Sequence, residues 1–183
     1  MRESYISGDD RMPPSATDIA HLANLIGAFV IAVGDEMGRS LEDTSPDGPA
    51  AILAIDTWTG QSIDFLSGVL GLTHSGTVRL VDRLVAGGLA VKRPGINGRT
   101  VAVGLTARGR AQARTLRERR YRVLDSLVDS LSPTERRTIE TAFSRWLASG
   151  PRSRVEARRA CRLCDHSVCR GERCPIGVSA GAS

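Results

Sequence analysis

Residues 161–177 read CRLCDHSVCRGERCPIG and hold all four cysteines of the chain: Cys161, Cys164, Cys169 and Cys174. Two, four and four residues separate them in turn. A tight turn between cysteines three apart lets both sulfurs face one ion, and the two later thiols can complete a tetrahedral thiolate set for Zn²⁺. Such a site carries a net charge of minus two, which Arg158, Arg159, Arg162, Arg170 and Arg173 are placed to offset. Nearby positive charge also favours the thiolate form. So short a segment builds no ordinary core, so ion binding and local folding are expected to be one event. Two rivals use the same atoms. Pro175 directly after the last cysteine also fits an iron–sulfur cluster, and reversible disulfides would make the segment a redox sensor. His166, between Cys164 and Cys169, is either a spare donor or a solvent-facing side chain.

The second chemistry is basic. The net charge is +5, and of the 25 Lys and Arg residues only Lys92 is a lysine. Guanidinium forks suit phosphates and guanine edges, so an anionic partner is expected; a GC-rich coding sequence produces the same arginine, alanine and glycine bias. Catalysis has little support. His21, His74 and His166 are far apart in sequence, no G-x-S-x-G or H-E-x-x-H motif occurs, and four-cysteine sites are as a rule closed and structural.

These groups need a frame, and 183 residues with 41% hydrophobic composition allow one main domain and a small appendage. The division expected is a disordered stretch at 1–14, a domain at 15–150 and an arginine-rich tail at 151–183. No run approaches the roughly 18 apolar residues of a membrane span, and the opening MRESYISGDDRMPP is too polar for a signal peptide. A cytoplasmic protein with reduced thiols is expected.

Ser15 and Asp18 have capping-box spacing. Ile19, Leu22, Ile26, Phe29, Val33 and Met37 then form a helical stripe that suits packing on another helix. After the loop LEDTSPDGPA the pattern predicts helices over 49–58 and 62–69, a tight turn at Gly71, and a helix capped by Thr73 and ended by Gly87 and Gly88. Two helices joined by a short turn make a helix-turn-helix. β-prone runs at 89–93 and 100–105 flank Pro94 to Arg99, where Asn97 and Gly98 suit a hairpin tip. A long helix follows from Thr106 to about Ser130, then SPTE at 132–135 stops one helix and starts the last, which ends at Gly150 and Pro151. The class is mainly α with a small β-hairpin wing: a winged helix-turn-helix with helices at both ends.

That order resembles the MarR family of bacterial transcriptional regulators. The resemblance is carried by SGTVRLVDRLVAGGLAVKRPGINGRTVAVGLTARG at 75–109 and by the helix order from about 15 to 149. It implies a homodimer in which the first and last two helices interlock, and two winged lobes on adjacent major grooves of double-stranded DNA. It also implies a palindromic operator, with repression as the expected sense, and a possible small aromatic effector. Where the family's wing usually has aspartate before its tip arginine, this chain has Asn97 and Gly98 before Arg99, so the ion pair of that wing is missing. The cysteine segment is an addition to the family core.

A recognition helix presents its N-terminal part to base edges. His74, Ser75, Thr77 and Arg79 are therefore expected at bases, and Arg83 at a base or a phosphate. Lys92 and Arg93 at the wing base suit phosphates, and Arg99 at its tip suits the minor groove. Alternatively the tail grips a protein partner and the winged helix is structural.

Overall fold

The computed structural model describes residues 15–41, 48–95, 100–151, 153–169 and 171–181. The expected disorder at 1–14 and the wing-tip residues Asn97, Gly98 and Arg99 lie outside them, as does Arg170. Residues up to Glu36 form one compact unit and Met37 onward another.

The first unit is most of helix α1, Ala16–Leu41. It begins as its sequence dictates: Asp18 Oδ2 accepts from the Ser15 backbone N–H at 3.0 Å, and Ser15 Oγ accepts from the Asp18 N–H at 3.2 Å. Two of the helix's first N–H groups thus have partners. Ile19, Leu22, Ile26 and Phe29 are exposed along it. One expectation needs correcting here. By length and composition α1 is apolar enough to cross a membrane, because between Ile19 and Gly34 only His21 and Asn24 are polar. The expectation that no run comes near that length does not hold for this helix.

The second unit contains α2 (Gly48–Thr57), α3 (Ile63–Leu70), α4 (His74–Ala86), the strands β1 (Ala90–Pro94) and β2 (Val101–Leu105), α5 (Ala107–Asp129), α6 (Pro133–Ser149), α7 (Arg154–Ala160), a 3₁₀ turn at Gly171–Arg173 and α8 (Pro175–Gly181). The elements expected from 49 to 149 are all present within a residue or two. Helices α7 and α8 were not expected. A mainly helical chain with one two-stranded antiparallel hairpin is the winged helix-turn-helix class read from the sequence.

Ile52, Leu53, Ile55, Leu66, Val69, Leu80, Val81, Val103 and Leu116 are fully buried and draw α2, α3, α4, β2 and α5 around one core. The hairpin pairs Ala90 with Leu105 and Lys92 with Val103. Just ahead of α3, Gly60 and Gln61 add backbone hydrogen bonds to Val103 on the other edge of β2, at 3.0 Å each. The wing is thereby tied to the start of the helix pair. Gly109, in the motif LTARG, is required by close packing: a Cβ there would stand 2.0 Å from the Leu89 carbonyl oxygen. Around it, Thr106 Oγ1 donates to the Gly88 carbonyl at 2.7 Å and Arg108 to that of Gly87 at 3.1 Å. The last turn of α4, the wing and the first turn of α5 are locked into one junction. Other arginines of α5 are structural in the same way. Arg110 donates to the Leu105 carbonyl at 2.9 Å, and Arg117 pairs with Asp56 of α2 at 2.7 Å.

Candidate nucleic-acid interface and thiol cluster

Helix α4 is oriented by its own amphipathic pattern. Thr77, Leu80, Val81 and Leu84 are buried, so Ser75, Arg79, Asp82 and Arg83 fall on the opposite, exposed side. Thr73 caps the helix, its Oγ1 accepting from the Gly76 N–H at 3.1 Å. Gly71 makes the turn with φ +68°, a conformation open to glycine at little cost. His74 is exposed at the first position, with Nδ1 2.7 Å from Asp64 Oδ1 on α3, so the two helices are also bridged at their solvent face.

Of the residues expected at bases, His74, Ser75 and Arg79 are exposed, as are Arg83 beside them and Arg93 on β1. Thr77 is not. Its side chain is 0% exposed, receives a hydrogen bond from Ser67 Oγ at 3.0 Å and donates to the Thr73 carbonyl at 3.0 Å. Its nearness to Thr73 suggests a base contact, but it lies on the same helical face as Leu80, Val81 and Leu84. It is a buried polar link between α3 and α4, fully hydrogen-bonded as burial requires. Lys92 is committed too: its ammonium pairs with the Asp82 carboxylate. That bond joins β1 to α4, a link set by tertiary packing rather than by any local spacing.

The four cysteines form a second, smaller cluster. Cys161, Cys174, Ala157 and Ile176 are buried together, with Cys164 and Cys169 packed against them. The backbone turns tightly between the first two, Cys164 N–H to Cys161 carbonyl at 2.9 Å, and the Gly177 N–H donates to Cys174 Sγ at 3.2 Å. Cys161, Cys169, Cys174 and His166 line one cavity of about 260 Å³ together with Trp58 and Ile176. His166 is half-buried, edge-on to the Trp58 ring at 5.0 Å, with Nε2 3.3 Å from the Cys161 carbonyl oxygen. Asp165 anchors the loop, accepting from the Ser167 N–H at 2.8 Å and from the Tyr121 hydroxyl of α5 at 3.3 Å.

The thiols act on one another in pairs, Cys161 with Cys164 and Cys169 with Cys174. A bond donated by Cys161, with Arg120 and His166 nearby, lowers the Cys164 thiol to about 6. The same bond raises Cys161, and burial beside Cys174 raises Cys169 to about 11. Among the described residues no three His, Cys, Asp or Glu side chains are drawn closely enough to enclose an ion, and all four cysteines are free. The donor set has the chemistry for a soft divalent ion, yet the sulfurs stand in two protonation-linked pairs around a cavity, not at the corners of a closed tetrahedron.

A scan of protein-family models gives no match, and no curated protein matches by sequence. Solved structures do. The chain is similar to RV1404 from Mycobacterium tuberculosis with a TM-score of 0.63 and 22% identity, over 76% of this chain and 97% of that one. It is similar to the YusO protein from Bacillus subtilis with a TM-score of 0.64 and 16% identity, over 75% of this chain and 100% of that one. A MarR family protein from Bacillus stearothermophilus aligns with a TM-score of 0.63 and 21% identity, over 72% of this chain and 94% of that one. At such identities the likeness is one of fold, and the fold is a MarR-like winged helix.

Proposed function

We propose that the chain is a sequence-specific DNA-binding transcriptional regulator of the bacterial cytoplasm, acting by binding and not by catalysis. It occupies a palindromic operator as a homodimer, with repression as the expected sense, and holds zinc on Cys161, Cys164, Cys169 and Cys174. The observation that carries the reading is the solvent face of α4, where Ser75, Arg79 and Arg83 stand exposed on a helix whose other face is buried in the core, beside a hairpin bearing Arg93. A helix of this kind fits a major groove, and a bidentate arginine discriminates guanine by about 1–3 kcal/mol. Exposed Phe143, Trp146 and Leu147 on α6, and the apolar stripe of α1, support a partner subunit at the helices of both chain ends. The likeness to a MarR family protein supports the same assignment.

The test begins with capture of bound fragments from sheared genomic DNA, followed by gel-shift titration on the enriched sequence. Arg79→Ala is expected to weaken binding and relax preference at one base pair of each half-site, and Arg99→Ala to weaken binding on every sequence. If both variants keep wild-type affinity and salt dependence, the docking is wrong. Colourless protein with one equivalent of zinc per chain supports the metal assignment; brown protein with visible absorbance replaces it with an iron–sulfur cluster.

A further inference from the structure

A cavity of about 260 Å³ opens where the cysteine segment meets the lobe, and Trp58, just past the end of α2, forms one of its walls. Ala157 and Ile176 line it further, with Cys161, Cys169 and Cys174. Free thiols pack as small hydrophobic groups, so this lining is apolar. Trp58 is held from two sides: its ring stands edge-on to Phe65 of α3 at 5.9 Å and to His166 at 5.0 Å. The cavity thus has a fixed aromatic wall before anything enters it.

Among its described lining residues there is no carboxylate and one permanent charge, that of Arg158 on α7. Arg158 is half-buried, with its guanidinium 4.9 Å over the Phe65 ring. That contact uses the face of the group and leaves its N–H donors, which lie in the plane, for an acceptor. Among the described residues no carboxylate pairs with it. A half-buried cation with open donors beside an apolar cavity is complementary to an anion that carries an apolar body.

The geometry points to this cavity as a binding site for a small organic acid, its apolar body against Trp58 and Ile176 and its carboxylate on the in-plane donors of Arg158. The volume sets the size, because 260 Å³ falls just below the roughly 300–1,000 Å³ of sites for drug-sized ligands. An inorganic anion would leave the apolar walls unused, and a neutral molecule would leave the guanidinium unpaired. No covalent bond is made or broken. The cavity depends on residues after 150, outside the helix order of the MarR-like fold, and none of its described lining residues belongs to α4. It therefore stands independently of the DNA-binding reading.

Trp58 and Trp146 are the two tryptophans of the chain, so Trp146→Phe leaves Trp58 as the reporter. The full chain with that substitution, kept reduced, is titrated with benzoate, hexanoate, benzamide and inorganic phosphate, both as purified and after chelation. Trp58 emission is followed, and calorimetry on the wild type repeats the benzoate titration. Benzoate and hexanoate are expected to change Trp58 emission saturably at millimolar concentration or below, as so few heavy atoms allow. Arg158→Ala should weaken benzoate about ten- to hundredfold, the loss of one charge-assisted contact, and leave the weaker binding of benzamide unchanged. Arg158→Lys, which restores the charge, should recover part of the affinity. Equal affinity for benzoate and benzamide overturns the acid, and phosphate that competes as well as benzoate overturns the apolar body. Joint loss of benzoate and benzamide in Arg158→Ala overturns the role of Arg158, and no response to benzoate in either form overturns the site. None of these measurements reads DNA, so each outcome leaves the regulator reading to its own test.

Discussion

In the winged lobe, Ile52, Leu53, Ile55, Leu66, Leu80, Val103 and Leu116 are fully buried, while from residue 154 onward the buried side chains among those described are Ala157, Cys161, Cys174 and Ile176. Burying one large aliphatic side chain stabilises by about 1.5–3 kcal/mol. The lobe thus has enough apolar burial to offset the ordering of its helices, and the cysteine segment, with one isoleucine, does not. Polar groups differ in the same way. In the lobe they sit at junctions: Thr77 between α3 and α4, Thr106 and Arg108 between wing and helix, Arg117 on Asp56. In the cysteine segment they sit mostly within one loop, Asp165 with Ser167 and thiol with thiol, and Asp165 alone of these also reaches the lobe, through the Tyr121 hydroxyl. The first region is a fold in its own right. The second rests on few buried side chains and on packing against the lobe through Leu163 and Arg158.

The sharpest break of that comparison is mutation of each core in turn. Leu80→Ala should destabilise the lobe by about 2–5 kcal/mol, through lost transfer energy and the cavity left behind. Urea denaturation followed by circular dichroism reads this directly. A smaller effect is expected from metal removal: chelation should speed tryptic cleavage at the arginines of 154–173 by an order of magnitude or more, while moving the urea midpoint of the lobe far less than Leu80→Ala does. If the two regions lose structure in one shared transition, they are a single cooperative unit and the contrast is wrong.

How much of this was legible beforehand follows the same division. Periodic burial and caps are local signals, so Ser15 with Asp18, Ser132 with Glu135, Thr73, Gly71 and the hairpin strands were readable residue by residue. The exposed face of α4 was readable too, once its apolar positions at 77, 80, 81 and 84 were seen as one face; ignoring that period misplaced Thr77. Lys92 with Asp82, Arg108 with Gly87 and Arg159 over Gly71 span 10, 21 and 88 residues. Such pairings are set by tertiary packing, and no spacing rule announces them. Helices α7 and α8 stayed hidden because seven-residue segments carry too few periods to stand out.

Thr77 sharpens the boundary between structure and recognition. Thr77→Val keeps the shape but removes the hydroxyl that bonds Ser67 and the Thr73 carbonyl, and should cost about 1–2 kcal/mol of stability. It should leave operator preference unchanged, in contrast to Arg79→Ala. A change of base preference in Thr77→Val, read from gel shifts on single-substituted operators, would return Thr77 to the reading face.

The smallest effect lies inside the thiol pairs, and it separates a conditional fold from a preformed one. Where the metal-free segment keeps its fold, the contact with Cys161 lowers the Cys164 thiol to about 6 from an ordinary 9.0, and burial raises Cys169 to about 11. The thiolate is the form that alkylates. At neutral pH iodoacetamide should therefore modify Cys164 well before its neighbours, with its rate rising through pH 6, as peptide mass spectrometry can show. The sign for stability follows: a depressed value contributes fully above pH 9.0, and that contribution is lost as pH falls through about 6, so the chelated segment should grow more protease-sensitive in mild acid. Cys161→Ala removes the donor and should return Cys164 toward 9.0. Equal reactivity at all four cysteines, each near 9.0, would mean the pairs do not form without the ion, and that the segment has no folded state apart from it.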